Sequence, residues 1–348
     1  MFQVSARDNR QLTHRPSATL THIRTRLIKL QLRIAFILLL YAFILNTTAS
    51  NLSWELRHSP LWKDCCLHMV DIVIEVCVDS LESATAAVEG GAHRLEICGN
   101  LPLFGGTTPS LGLVRLVQKY LPSIPLMVMI RPRVGDFVFS AEEFETMVED
   151  ISAFRTLGIH GVVIGALLPD GSVDCEGCGR LTAAALPMQV TFHRAFDLTA
   201  DPIQALKDIA GIPGVTRILT SGHATPRVYE PESLEQLAKL VVSAYTSTLS
   251  TSQQNKGSYN IADATLRVVP GSGINPQTIG RVFSAVGELV DEYHMSGGSW
   301  IDRSTHANGG EEFQMGPRGH ERAVWKTDAN QVRRVLRALV EMRRDLNA

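Results

Sequence analysis

The sequence predicts an α/β fold, a (β/α)8 TIM-like barrel with a non-barrel N-terminal extension. From residue 71 onward, short runs rich in β-branched residues repeatedly precede stretches whose apolar residues recur every three or four positions, as in amphipathic helices. Eight such units in roughly 280 residues match the size of a TIM barrel, whereas a doubly wound open sheet more often has fewer strands. The second part of the chain is therefore expected to close into a parallel barrel.

Eight segments have the short apolar pattern of buried parallel strands. In chain order they are residues 72–78, 94–98, 126–131, 161–165, 189–194, 216–220, 266–270 and 289–294. Helix candidates lie between them, with apolar stripes in 144–151, 234–241 and 332–340. Ser140 followed by Glu143 is a capping box and marks one helix start. Two segments interrupt the alternation and are predicted to be exposed, mobile insertions, near 243–262 and 302–326.

The first 68 residues differ in character from the predicted barrel domain, 69–348. Residues 1–33 carry seven Lys or Arg and one acid, and the apolar run 34–45 follows. That run is about half of the roughly 20 residues that a membrane helix needs, so a signal peptide, a signal anchor and a transit peptide all stay open. Alternatively, Met69 is the working start and the extension is seldom translated. We expect a cytoplasmic protein, or a membrane-anchored or targeted one if residues 1–68 are expressed.

The composition argues against several classes of protein. Hydrophobic residues make up 45% of the chain and charged residues 20%, which argues against a disordered protein. The net charge of −2 gives no reason to expect nucleic-acid binding. Six cysteines in 348 residues are too few for a disulfide scaffold and favour reduced thiols in a reducing compartment.

Polar residues are concentrated near the predicted C-terminal ends of the strands, where TIM barrels carry their chemistry. Glu75 and Cys77 share one face of the first strand, because alternate side chains point the same way. Glu96 and Cys98 share one face of the second strand for the same reason. The candidate catalytic cluster comprises Glu75, Glu96, Arg131, His193, Arg194 and Asp197.

Burying these charges is costly, so we expect Glu75 and Glu96 to pair with Arg131 and with either His193 or Arg194. The structural alternative is a salt-bridge network that simply fills the barrel. Glycine-rich turns after the sixth and seventh strands offer backbone amides near helix starts, which is typical of anion sites. The anion-binding candidates there are Ser221, Gly222, Gly271 and Gly273.

Six segments in fixed order resemble the CutC copper-homeostasis family. They are EVCVDS at 75–80, RLEIC at 94–98, GTTPSLG at 106–112, IRPRVGDF at 130–137, TFHRAFD at 191–197 and TSG at 220–222. The resemblance covers about 70–346 and implies a TIM-like barrel, a cytoplasmic location and an association with copper tolerance. It also implies that Cys77 and Cys98, which fall at the family's two barrel cysteines, are copper ligands. The chain departs from the family pattern at 292–296, where EYHMS replaces a more regular His-Ala-Ser ending.

Two functions are considered, the first implied by the family resemblance and the second by the chemistry of the residues. The first is a copper homeostasis protein that binds copper(I) through Cys77 and Cys98, with Met129 nearby, since this soft ion prefers thiolate and thioether donors. The second is a TIM-barrel enzyme for a small acidic or phosphorylated metabolite, with proton transfer by His193 or Glu75 and anion binding by arginines and glycine loops. The alternative to a copper site is that the cysteines are buried as small hydrophobic residues. A homo-oligomer is expected by analogy with other barrels.

Overall fold

The computed structural model describes residues 72–254, 266–302, 320 and 323–347. The predicted N-terminal extension, with its basic stretch, its apolar run and Met69, lies outside these residues. Within the described ranges, no helix is both long enough and apolar enough to cross a membrane.

Eight parallel strands form a nearly closed barrel, which confirms the predicted fold. They are β1 (Val73–Val78), β2 (Arg94–Ile97), β3 (Leu126–Met129), β4 (Gly161–Ile164), β5 (Gln189–Phe192), β6 (Val215–Thr220), β7 (Arg267–Pro270) and β8 (Glu292–Met295). The hydrogen-bonded order is β7-β6-β5-β4-β3-β2-β1-β8, and β8 lies in contact with β7. All eight predicted strands are present.

Helices alternate with the strands along the chain. They are α1 (Leu81–Glu89), α2 (Leu101–Phe104), α3 (Leu111–Tyr120), α4 (Ala141–Thr156), α5 (Cys175–Ala185), α6 (Pro202–Ala210), α7 (Pro231–Gln254), α8 (Ile279–Val286) and α9 (Ala329–Asn347). A short 3-10 helix, Arg194–Leu198, follows β5. Side-chain caps fix several helix starts, and the predicted capping box of Ser140 and Glu143 is confirmed.

The strands divide their side chains between two environments. Outward-facing residues such as Ile74, Val76, Leu95 and Ile97 are fully buried in the main hydrophobic core with helix residues. The alternate positions face the barrel interior, where they are largely polar. Because the side-chain period of a strand is two, the sequence pattern determines which residues enter the interior.

The two predicted insertions have some regular structure. Helix α7 continues to Gln254, through the first part of the Ser/Thr-rich stretch 243–262, and Ala244 in this stretch is buried. Around the second stretch, β9 (Gly298–Asp302) and β10 (Ala323–Thr327) pair as an antiparallel ribbon. Trp300 of this ribbon stacks on His320 with ring centroids 4.7 Å apart.

Candidate functional site

Two thiols meet inside the barrel at the C-terminal ends of β1 and β2. The Sγ atoms of Cys77 and Cys98 lie 3.6 Å apart, and both residues are buried. Met129 on β3 packs against them, and Leu101 at the start of α2 covers the cluster. The β1–β2 register places Cys77 beside Glu96, so Cys98 stands two residues further along its strand. The sulfurs nevertheless touch, as tilted barrel strands allow.

Gly106 makes room for this sulfur cluster. Its φ is +97°, in the left-handed region that favours glycine. A Cβ at this position would lie 2.7 Å from Met129 Sδ and 3.1 Å from Cys98 Cβ. A side chain at residue 106 would therefore push the thioether away from the thiols.

Glu75 is paired with residues that the sequence analysis did not select. Its carboxylate accepts from Arg94 Nε at 2.5 Å and lies 2.8 Å from His294 Nδ1. The expectation that it pairs with Arg131, His193 or Arg194 is wrong. The strand register explains the error, because it sets Glu75 directly beside Arg94 and His294 on the two neighbouring strands.

Glu292 forms the centre of a second set of ion pairs. It accepts from Arg94 Nη2 at 2.6 Å, Arg217 Nε at 2.7 Å and Arg267 Nη1 at 2.5 Å. Each of these arginines occupies an inward position of its strand, so the alternating pattern carried a signal that sequence reasoning missed. Near the N-terminal ends of the strands, the barrel interior is therefore filled by a salt-bridge network.

Burial and ion pairs shift the pKa values of the acidic groups in opposite directions. Burial by itself raises the pKa of Glu75, but Arg94 and His294 outweigh it and hold that pKa well below its usual value. For Glu96, burial dominates and raises the pKa to about 7. Burial would lower the pKa of His294, yet Glu96 and Glu75 outweigh it and raise that pKa. Glu96 Oε2 is buried without a hydrogen-bond partner.

The thiol of Cys77 is held in its protonated form. Its hydrogen bond with Cys98 and its burial raise its pKa well above the usual value, and the charge of Glu96 adds to the shift. The Cys77 thiol also lies 3.6 Å from Glu96 Oε1, as a donor to it. Any metal that binds here must therefore displace a proton.

The donor atoms at this place fit a metal ion. Cys77, Glu96 and His294 each offer one ligand atom, and these atoms lie within 4.8 Å of one another. The separation of the two sulfurs, 3.6 Å, is less than twice a metal–thiolate bond of about 2.3 Å, so one ion can contact both. His294 belongs to the segment that departs from the family pattern, and sequence reasoning did not select it.

Arg131 and His193 lie close to one another at another part of the barrel mouth. The ring of Phe137 contacts both: its centroid lies 4.7 Å from the Arg131 Cζ atom and 4.8 Å from the centroid of the His193 ring. Burial and the charge of Arg131 lower the pKa of His193 to about 3, so the imidazole is neutral near neutral pH.

Arg194 and Asp197 form a third group. Arg194 Nε donates to Asp197 Oδ2 at 2.8 Å, and Asp197 also accepts from the hydroxyl of Thr220 and the amide of Ser221. The structure thus separates the predicted catalytic cluster into acids with Arg94 and His294, an Arg131–His193 pair, and an Arg194–Asp197 pair. Their catalytic roles stay a prediction.

The glycine-rich turns already use several of their amides within the protein. The amide of Gly222 donates to Thr220 Oγ1 at 2.9 Å, and that of Gly271 donates to the Thr220 carbonyl at 2.9 Å. A Cβ at Gly222 would lie 2.3 Å from the Ser233 carbonyl oxygen, which gives that glycine a packing role. Anion binding by Ser221, Gly222, Gly271 and Gly273 stays a prediction.

Comparison with known proteins gives consistent matches. The model of the family described as CutC family matches residues 72–299. The chain is 40% identical over 272 residues to a "family protein CutC" of Chromobacterium violaceum, covering 78% of this chain and 99% of that protein. It is 40% identical over 230 residues to the human "Copper homeostasis protein cutC homolog", covering 66% of this chain and 75% of that protein. The solved structure of a CutC protein from Streptococcus agalactiae superposes with a TM-score of 0.54 at 28% identity, covering 65% of this chain and 98% of that one.

Proposed function

Since this chain belongs to the CutC family, we propose that it acts in copper homeostasis by binding copper(I) through Cys77 and Cys98. The observation that carries the proposal is the contact of two buried thiols, with sulfurs 3.6 Å apart, beside the thioether of Met129. The name of the human relative, a copper homeostasis protein homolog, supports the same function.

Sulfur donors favour the monovalent ion. Cys77, Cys98 and Met129 together offer two thiolates and one thioether, the soft ligands that copper(I) prefers. The mixed set of Cys77, Glu96 and His294 would suit a divalent ion such as zinc better, because carboxylate and imidazole are harder donors. Cys77 belongs to both ligand sets. Cys98 and Met129 belong only to the sulfur set, so their participation in binding distinguishes the two.

Binding requires loss of the thiol protons. The thiol of Cys77 donates to Glu96 Oε1, so this carboxylate is the nearest acceptor for the released proton. Burial of the sulfurs excludes water from the bound ion and limits oxidation of the thiolates. Leu101 must move for the ion to enter, because it packs over the cluster and both cysteines are buried.

A competition titration tests this function. Copper(I) is titrated without oxygen against a chromogenic chelator, using the wild-type chain, Cys77→Ser and Cys98→Ser. We expect one tightly bound copper(I) per wild-type chain and loss of that binding in both variants. Cys178→Ser is the matched control, since Cys178 is equally buried but lies on α5, with its thiol facing the Ala166 carbonyl. Equal copper binding by the wild type and Cys77→Ser would refute the proposal.

A further inference from the structure

Arg131 is a buried cation with an incomplete set of partners. Its Nη1 donates to the carbonyl oxygens of Phe104 at 2.7 Å and Gly106 at 2.9 Å, and Nη2 donates to that of Gly135 at 3.0 Å. Its Nε has no hydrogen-bond partner, and no carboxylate of the described residues lies within ion-pair distance. A buried charge without a counter-charge is unfavourable, so a negative group is needed here.

His193 places a second unsatisfied donor beside this cation. Its Nδ1 accepts from the amide of Ala195 at 3.2 Å, so the proton of the neutral ring is on Nε2. That Nε2 is buried and has no partner. A Cβ at Gly165 would lie 2.4 Å from His193 Nδ1, so the glycine directly after β4 leaves space for the ring in this position.

Thr191 adds a hydroxyl on the same inward face of β5, two residues before His193. The residue is 2% exposed, and its Oγ1 has no partner. The Nε–H of Arg131, the Nε2–H of His193 and the hydroxyl of Thr191 therefore all lack an acceptor in one part of the barrel interior. Buried donors are almost always satisfied in native proteins, so such a group of them indicates a ligand that accepts hydrogen bonds.

We propose that Arg131, His193 and Thr191 form a binding site for a small oxyanion, a carboxylate or phosphate group of a metabolite. The cation supplies charge, and the three side chains supply donors, as oxyanion recognition requires. The site lies towards the C-terminal ends of the strands, where TIM barrels bind their ligands. It differs from the glycine-rich turns, whose amides are largely used within the protein, and it does not depend on copper.

The first test is binding of two probes, inorganic phosphate and malonate, by the wild-type chain with a copper chelator present. Melting temperature and heat of binding are measured at constant ionic strength, with chloride as the reference salt. We expect at least one probe to raise the melting temperature saturably while chloride does not. A response to phosphate alone would assign a phosphorylated ligand, and a response to malonate alone a carboxylate. If neither probe binds, the site does not exist.

Three variants assign the binding to these residues. His193→Phe keeps an aromatic ring but removes Nε2–H, and we expect about tenfold weaker binding, the loss typical of one hydrogen bond to a charged group. Thr191→Val is isosteric and should weaken binding about threefold. Arg133→Gln is the control: its guanidinium is near Arg131 but paired with Glu143 and Asp136, so binding should be unchanged. Unchanged binding in both His193→Phe and Thr191→Val would overturn the assignment.

A spectroscopic measurement separates direct contact from an indirect structural effect. In the wild type, the proton resonance of His193 Nε2–H should shift on saturation with the bound probe, because the anion accepts a hydrogen bond from it. A saturating probe that leaves this resonance unchanged would contradict the site.

Discussion

The two halves of the barrel interior are built on different principles. The lower half, near the N-terminal ends of the strands, comprises Glu75, Arg94, Gln189, Arg217, Arg267 and Glu292. The upper half comprises Cys77, Glu96, Cys98, Met129, Arg131, Thr191 and His193. In the lower half, each carboxylate has at least one arginine partner. In the upper half, four buried polar atoms of the described residues have no hydrogen-bond partner: Glu96 Oε2, Arg131 Nε, Thr191 Oγ1 and His193 Nε2.

This difference indicates a structural role for the lower half and a ligand-binding role for the upper half. A fully paired network fills space and fixes the barrel, as the structural alternative from the sequence analysis required. Unpaired buried polar groups cost stability, and the proposed ligands would satisfy those of the upper half. The lower half therefore matches the salt-bridge alternative, while the upper half carries the proposed metal and oxyanion sites.

The largest effect is expected from breaking the lower half. Glu292→Gln removes the negative charge that pairs with Arg217 and one of the two negative charges that pair with Arg94. This change should cost about 3–5 kcal/mol in the free energy of unfolding. Glu96→Gln is the matched change in the upper half. Because the pKa of Glu96 is raised to about 7, its protonated form is already well populated near neutral pH, so we expect a loss below about 1 kcal/mol. Urea denaturation measures both, and equal losses would contradict the comparison.

A smaller effect concerns acid stability. His193 has a folded-state pKa of about 3 against an ordinary value of 6.5, so the unfolded chain binds more protons between these values. Stability should therefore fall as pH falls from 6.5 towards 3, and His193→Phe should lose less over that window, by up to a few kcal/mol. Urea midpoints measured across this range check the sign.

Glu96 provides a control, because its effect on the pH dependence of stability should have the opposite sign to that of His193. Its folded-state pKa of about 7 exceeds the ordinary 4.5, so the folded chain binds more protons in between, and its contribution to stability rises as pH falls through that window. Glu96→Gln should consequently lose more stability than the wild type on acidification from pH 7 to 4.5. A flatter profile in this variant would show that the assigned shift has the wrong direction.

Two adjacent glycines allow a sharper test of the sulfur cluster. Gly105 and Gly106 both have positive φ, but a Cβ at 105 would meet nothing within 4 Å, whereas one at 106 would meet Met129 Sδ. Gly106→Ala should cost about 2–4 kcal/mol from strain and displacement, and Gly105→Ala about 1–2 kcal/mol from strain alone. Only Gly106→Ala should weaken copper(I) binding. Similar copper affinities in the two variants would exclude a role for the Met129 position.

The smallest effect is expected at Thr191. Thr191→Val removes a buried hydroxyl without a partner, so thermal unfolding should show unchanged or slightly higher stability, within about 1 kcal/mol. Gln189→Leu, on the same face of β5, removes the shorter of the two hydrogen bonds that Arg217 Nη1 donates and should be clearly destabilising. A destabilised Thr191→Val would mean that its hydroxyl has a structural partner.

The fold could be predicted from the sequence because it depends on local periodicity. Alternation along 72–78 and 94–98 correctly predicted that Glu75 shares a strand face with Cys77 and Glu96 with Cys98, and the structure turns both faces to the barrel interior. The partners could not be predicted in the same way. Which residues face each other across two strands depends on register, which the sequence does not state, so Glu75 was paired with the wrong cations.

The lack of register information also explains why the sequence analysis missed several residues of the site. Arg94 and Arg217 lie within apolar strands and were treated as strand residues, although their inward positions make them ion-pair partners of Glu292. His294 joins the site only because β8 lies beside β1. A pattern of inward charged positions on several strands was the available signal for all three.

X-ray absorption of the copper(I)-loaded chain tests the metal site most directly. We expect the copper(I) of the wild type to have only sulfur neighbours, from Cys77, Cys98 and Met129, and we expect that sulfur signal to be lost in Cys77→Ser. A spectrum dominated by nitrogen or oxygen neighbours, or one that is unchanged in Cys77→Ser, would contradict it.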